Sequence, residues 1–163
     1  VMGVGDEFGL AFAKAQVAAG QRLATDGIVF LSLHDKDKPK AVSIARRLDQ
    51  LGFKLTATQG TAKSLQAEGL EVKIIYKVNE GRPNIVDMIK NGSVDLIINT
   101  PLGVESRFDE KAIRSAAMKY QVTCITTLAA ATATLSGIKA LQIKGFPVNS
   151  LQSLNNQFKD LRS

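Results

Sequence analysis

Five short apolar runs punctuate the chain, and between them apolar residues recur at three- and four-residue spacings. Ile28–Leu33 (IVFLSL), Phe53–Thr58 (FKLTAT), Val72–Tyr76 (VKIIY), Val94–Ile98 (VDLII) and Val122–Ile125 (VTCI) read as strands. The first lacks clean alternation, as a strand covered on both faces does. Behind it, Ala41, Ile44, Ala45, Leu48 and Leu51 share one helical face that stops at Gly52. Further helices are predicted from about Thr61 to Glu68, over Ile85–Lys90, from Asp109 to Tyr120 and over Leu128–Ala140. Pro83, just ahead of the third of these five, suits a helix start. An earlier helix, Asp6–Ala19, carries Phe8, Ala11, Phe12, Ala15 and Ala18 at helical spacing and stops by Gly20.

Strands alternating with helices of about ten residues imply a parallel sheet with helices on both faces. The predicted fold class is therefore α/β, a three-layer sandwich on a five-stranded parallel sheet. Residues 1–20 read as a linking helix, 21–144 as the domain itself, and the weakly patterned 145–163 as a tail or last short helix. Val1, without an initiator Met or a leader, reads as the start of a piece cut from something longer.

In such sheets ligands bind outside the carboxyl ends of the strands. The residues there are Lys36 or Lys38, Thr58 with Gly60 and Thr61, Lys77 with Arg82, Asn99 with Thr100, and Thr126 with Thr127. Cations, hydroxyls and an amide form a phosphate-binding inventory. Its centre is TATQGTA (56–62), where a strand runs through a glycine into a helix N-terminus whose first N–H groups lack intrahelical partners. Each charge-assisted hydrogen bond to an anion there contributes roughly 1.5–3 kcal/mol, against about 0.5–1.5 for a neutral pair. The simpler alternative is that Thr58 or Thr61 only caps the helix.

Composition narrows the partner. With 163 residues, 45% hydrophobic and 22% charged, the chain suits one globular domain. No apolar run reaches the roughly 20 residues of a membrane span. A formal charge of +6 favours anionic partners. The lysines are nevertheless scattered and aromatics make up only 6%, which fits a small phosphorylated ligand better than nucleic acid. A single cysteine, Cys124, reads as a core thiol and points to a reducing cytosol. His34, the only histidine, reads as a polar loop residue rather than a metal ligand. Asp35, Asp37, Asp109 and Glu110 read as solvated loop and first-turn carboxylates.

The segments VMGVG with FAKAQ, TATQGTA, KVNEGRP, IVDMIKNG, LIINTP, IRSAAMKYQV and TTLAAATA, in this order, resemble the C-terminal regulatory domain of the carbamoyl phosphate synthetase large chain. The resemblance runs from Val1 to about Ala140 and implies the fold of methylglyoxal synthase. It implies a domain that catalyses nothing itself and takes no cofactor or metal. The parent ligase would use ATP with Mg and K ions, bicarbonate, and ammonia that the glutaminase small subunit releases from glutamine. UMP, IMP and ornithine would be the effectors, in pyrimidine and arginine biosynthesis. By the same resemblance Lys38, Thr58, Thr61 and Lys77 would hold the nucleotide phosphate, with Asn99 and Thr100 near the ribose or phosphate and Thr126 toward an ornithine seam. Lys77 is expected to be the shielded lysine that contributes most. Pro101 stands where some relatives carry another hydroxyl residue and has no donor. Neither a membrane nor a nucleic acid is an expected partner, and homo-oligomer formation is left open.

A rival is a free-standing lyase like methylglyoxal synthase, acting on a triose phosphate. It needs a carboxylate base beside the phosphate. In the loop KVNEGRPN only Glu80 is acidic, and no carboxylate lies between Ile97 and Leu102.

Overall fold

The computed structural model describes residues 1–101 and 107–160. Its elements, in chain order, are α1 (Phe8–Ala18), β1 (Gly27–Ser32), α2 (Lys38–Gln50), β2 (Phe53–Thr58), α3 (Gln59–Ala67), β3 (Val72–Ile75), α4 (Ile85–Lys90), β4 (Leu96–Asn99), α5 (Arg107–Lys119), β5 (Thr123–Ile125), α6 (Leu128–Lys144) and α7 (Leu151–Asp160). The strands form one parallel sheet in the order β3-β2-β1-β4-β5. The predicted fold class holds.

Alternate residues along each strand feed two cores, as the period-two geometry requires. Val29 and Leu31 of β1, Phe53, Leu55 and Ala57 of β2, and Leu96 and Ile98 of β4 pack with Ala41, Ile44 and Leu48 of α2, Leu65 of α3 and Leu135 and Ile138 of α6. Phe30 of β1 and Ile97 of β4 face the other way, onto Ile85 and Ile89 of α4 and Ile113 and Ala117 of α5. Helices thus cover both faces of the sheet.

After β1 the chain winds outward through β2 and β3, then returns to the far side of β1 for β4 and β5. This reversal leaves a crevice between the carboxyl ends of β1 and β4, where the last residues, Ser32 and Asn99, are register partners.

Element ends shift by a few residues from the sequence reading, and two of the differences bear on packing. β4 begins at Leu96 rather than Val94, because Asp95 is spent on β1: its carboxylate accepts from the Ile28 N–H at 2.8 Å and its own N–H donates to the Ile28 carbonyl at 2.8 Å. In α1 the buried residues are Gly9, Leu10 and Ala13, while Phe8 stands exposed, so the stripe from Phe8 to Ala18 is not the packed face. α1 lies on α6 through small residues. A side chain at Gly9 would strike the Ser136 carbonyl, and Gly137 sits under Phe12 and Ala13. Lys144 clamps the pair with contacts of 2.7 Å to Asp6 and 3.0 Å to Glu7. In 145–160, the part of the expected tail within the described residues, α7 is the last short helix.

Candidate functional site

The crevice is built from the carboxyl ends of β1, β2, β3 and β4. A narrow cleft of about 10 Å³, room for about one water molecule, is lined there by Ser32, Thr58, Lys77, Asn99, Asp109 and Glu110 over an apolar floor of Phe30, Val78, Ile85 and Ile113. Three of the expected residues, Thr58, Lys77 and Asn99, therefore meet. Ser32 joins them without having been expected, since in the sequence it sits inside an apolar run.

Asn99 and Ser32 are buried, at 4% and 3% exposure, yet among the described residues neither the carboxamide nor the hydroxyl has a hydrogen-bond partner. Both open onto the cleft, which gives it one amide and one hydroxyl ready for a ligand.

Thr58 is the N-cap residue of α3, in an extended conformation, but its side chain makes no capping bond. The capping alternative fails on this point, and the N–H groups of the first turn keep their capacity for an anion. Thr58 Oγ1 instead lies 3.3 Å from Thr61 Oγ1. α3 starts at Gln59, two residues before the predicted Thr61, so Gly60 and Thr61 both lie in its first turn. Lys38 extends from the first turn of α2 to this helix end, and a Cβ on Gly60 would sit 3.2 Å from its ammonium. The absence of a side chain at Gly60 leaves room for the cation over the helix N-terminus. Lys36 is exposed, so the choice between the two lysines falls on Lys38.

Thr61 and Thr100 do structural work. Thr61 Oγ1 accepts from the Leu33 N–H at 3.1 Å, and Thr100 Oγ1 accepts from the His34 N–H at 2.8 Å. Each hydroxyl pins the chain leaving β1, which carries Lys38 to its place. Thr126 follows β5, on the far side of β4, and is not among the described residues that line the cleft. Arg82 is 83% exposed and reaches only Asp87, at 3.9 Å.

The charges depart from expectation. Lys38 is the better shielded lysine, its side chain 19% exposed against 44% for Lys77. Both are paired: Lys38 with Asp35 at 2.6 Å, Lys77 with Glu80 at 3.4 Å. Lys38 holds the Asp35 carboxyl below its ordinary range. Asp109 and Glu110, read from the sequence as solvated, line the cleft instead, because α5 delivers its first turn to the carboxyl end of the sheet. Burial raises the pKa of Asp109, opposed by Lys77 and reinforced by Glu80, and Asn79 donates to it at 3.0 Å. The sequence offered only its place in a predicted first turn.

Elsewhere, burial pushes the Cys124 thiol up despite the nearby Arg114, as expected of a core thiol. His34 Nδ1 accepts from the Lys36 N–H at 3.1 Å. Among the described residues no cluster of metal-ligating side chains occurs and no helix is long and apolar enough to cross a membrane.

A doubly wound sheet with a polar crevice at its strand-order reversal defines a class of small-ligand-binding α/β domains. The chain belongs to the family of MGS-like domains, whose model matches residues 40–126. It is 52% identical over 155 residues to the carbamoyl phosphate synthase large chain of Acidobacterium capsulatum, covering 95% of this chain and 14% of that one. It is 49% identical over 156 residues to the C-terminal section of the large chain of Methanopyrus kandleri, covering 95% and 29%. The chain thus spans less than a third of the length of these relatives. A crystal structure of methylglyoxal synthase from Elizabethkingia anophelis aligns with a TM-score of 0.57 at 21% identity over 70% of this chain and 80% of that one, a likeness of fold.

Proposed function

We propose that the domain binds a phosphate monoester, UMP or IMP, as an allosteric effector module of a carbamoyl phosphate synthase large chain. The observation that supports this most is the meeting of the buried Asn99 and Ser32, which have no side-chain hydrogen bond to one another or to any other described residue, with an uncapped helix N-terminus and Lys38. The α3 N–H groups and Lys38 would take the phosphate oxygens. Ser32, Thr58 and Asn99 would complete the hydrogen bonds, and Lys77 would neutralise a further charge. The high identity to large chains over 95% of this sequence supports the parent enzyme.

In this reading the parent is an ATP-dependent ligase of pyrimidine and arginine biosynthesis, working in the cytoplasm with Mg and K ions and a glutaminase small subunit. The domain itself catalyses nothing and needs no cofactor. Ornithine would act from the seam near Thr126, against the rest of the large chain. Allosteric coupling is typically about 1–3 kcal/mol and reciprocal. In the full-length enzyme carrying this domain, UMP or IMP should therefore shift synthesis rates, and Asn99→Ala should remove that response with basal synthesis near normal. Retention of the wild-type response would overturn the reading.

A triose-phosphate lyase is the second reading, and the presence of Asp109 in the cleft favours it. Against it, the carboxylate is engaged by Asn79, and the only histidine is His34, outside the lining residues. No methylglyoxal should form from dihydroxyacetone phosphate. Turnover that Asp109→Asn abolishes would establish the lyase instead.

A further inference from the structure

We infer that Glu80 is a built-in competitor for the anion, a carboxylate that occupies the donors of Lys77 and must leave when a phosphate enters. The inference rests on the proposal that the cleft takes a phosphate. Glu80 places Oε1 3.4 Å from the Lys77 ammonium and Oε2 3.4 Å from the Lys77 N–H. One carboxylate thus takes both donors at the carboxyl end of β3, as a bound anion would.

A phosphate reaching Lys77 meets Asp109 as well as Glu80, since Asp109 also acts on that ammonium. They are not equally free to move. Asp109 is on α5, lies in the cleft and is held by the Asn79 carboxamide at 3.0 Å. Glu80 is in the loop between β3 and α4, with a side chain 48% exposed, so its charge passes into water at little cost when the pair opens. A cleft of about 10 Å³ has to widen for a phosphate, and the half-exposed pair that Glu80 makes with the cleft residue Lys77 opens at little cost.

Release of Glu80 does not stay local. Its N–H donates to the Lys77 carbonyl at 3.1 Å, and the neighbouring Asn79 ties the same loop to α5. At the far end of the loop Asn84 donates to the carbonyls of Val78 and Gly81 and caps α4. Exchange of Glu80 for phosphate therefore reaches the first turns of α4 and α5, the helices of one face.

Calorimetry with inorganic phosphate and with UMP tests this on the wild type, Glu80→Gln and Glu80→Asp, with melting curves to establish folding. Both ligands should bind about two- to fivefold tighter to Glu80→Gln, the scale of an exposed ion pair. Glu80→Asp keeps the charge but shortens the reach, and should tighten phosphate as well. Equal or weaker binding to Glu80→Gln overturns the proposal. So does tightening in Glu80→Gln with wild-type affinity in Glu80→Asp, which would reduce Glu80 to a distant charge. Absence of phosphate and UMP binding in all three proteins overturns the site reading beneath it.

Discussion

Thr61→Val separates folding from binding at the helix start. Valine keeps the shape of threonine and deletes the hydroxyl that accepts from the Leu33 N–H at 3.1 Å and meets Thr58 Oγ1 at 3.3 Å. Leu33 and Thr61 are both at most 2% exposed, so water cannot replace the lost acceptor. A buried donor left unsatisfied costs about 1–3 kcal/mol. For a domain of this size about 2 kcal/mol lowers Tm by roughly 4–8 °C. Thr58→Val is the contrast. Thr58 Oγ1 bonds only Thr61 among the described residues and opens onto the cleft, so its loss should cost under about 1 kcal/mol of stability. It should instead weaken phosphate binding by about 1–2 kcal/mol, close to tenfold. Thermal melts and calorimetry on the two variants read both effects. A Thr61→Val protein that melts with the wild type would refute the assignment of its hydroxyl to the chain leaving β1.

Three further outcomes follow from the geometry. Lys38→Ala should weaken UMP binding about threefold more than Lys77→Ala in parallel titrations, because the better shielded charge interacts more strongly. Gly9→Ala should destabilise by about 1–3 kcal/mol, since its Cβ meets the Ser136 carbonyl and forces α1 off α6, and faster amide exchange confined to these two helices would register it. For Asp109 the raised pKa means that the folded chain holds its proton to higher pH than the unfolded chain does, so this group's contribution to stability falls as pH rises above about 4. Asp109→Asn should therefore raise Tm at pH 7, and the gain should shrink toward pH 4; a gain that grows on acidification would reverse the sign.

The sheet was legible because parallel strands buried on both faces leave short, continuous apolar runs, and the strand ends followed from them. Side-chain presence was legible; side-chain absence was harder to see. The α1 stripe was drawn from Phe8 and its neighbours, whereas the packed face is made of Gly9 and Ala13, whose value is that they occupy little space. Ser32 was hidden within IVFLSL, where a hydroxyl among apolar neighbours reads as strand filler until its register partner Asn99 is known. Asp109 is legible as a first-turn carboxylate but not as a cleft residue, because it lies 32 positions from Lys77 and only the crossing of α5 over the sheet brings the two together. Lys38 is readable as a candidate from its place after β1, but its position over the bare Gly60 of α3 is a juxtaposition that no local pattern contains.

The central claim is that a phosphate monoester binds between the uncapped start of α3 and the ends of β1 and β4. A ¹H–¹⁵N spectrum titrated with UMP tests it most directly. Saturable shifts should appear in the backbone amides of Gln59, Gly60 and Thr61 and in the Asn99 side-chain amide, with inorganic phosphate reproducing the backbone shifts. A titration that leaves these signals in place, or moves residues away from the carboxyl ends of the strands, would contradict the account.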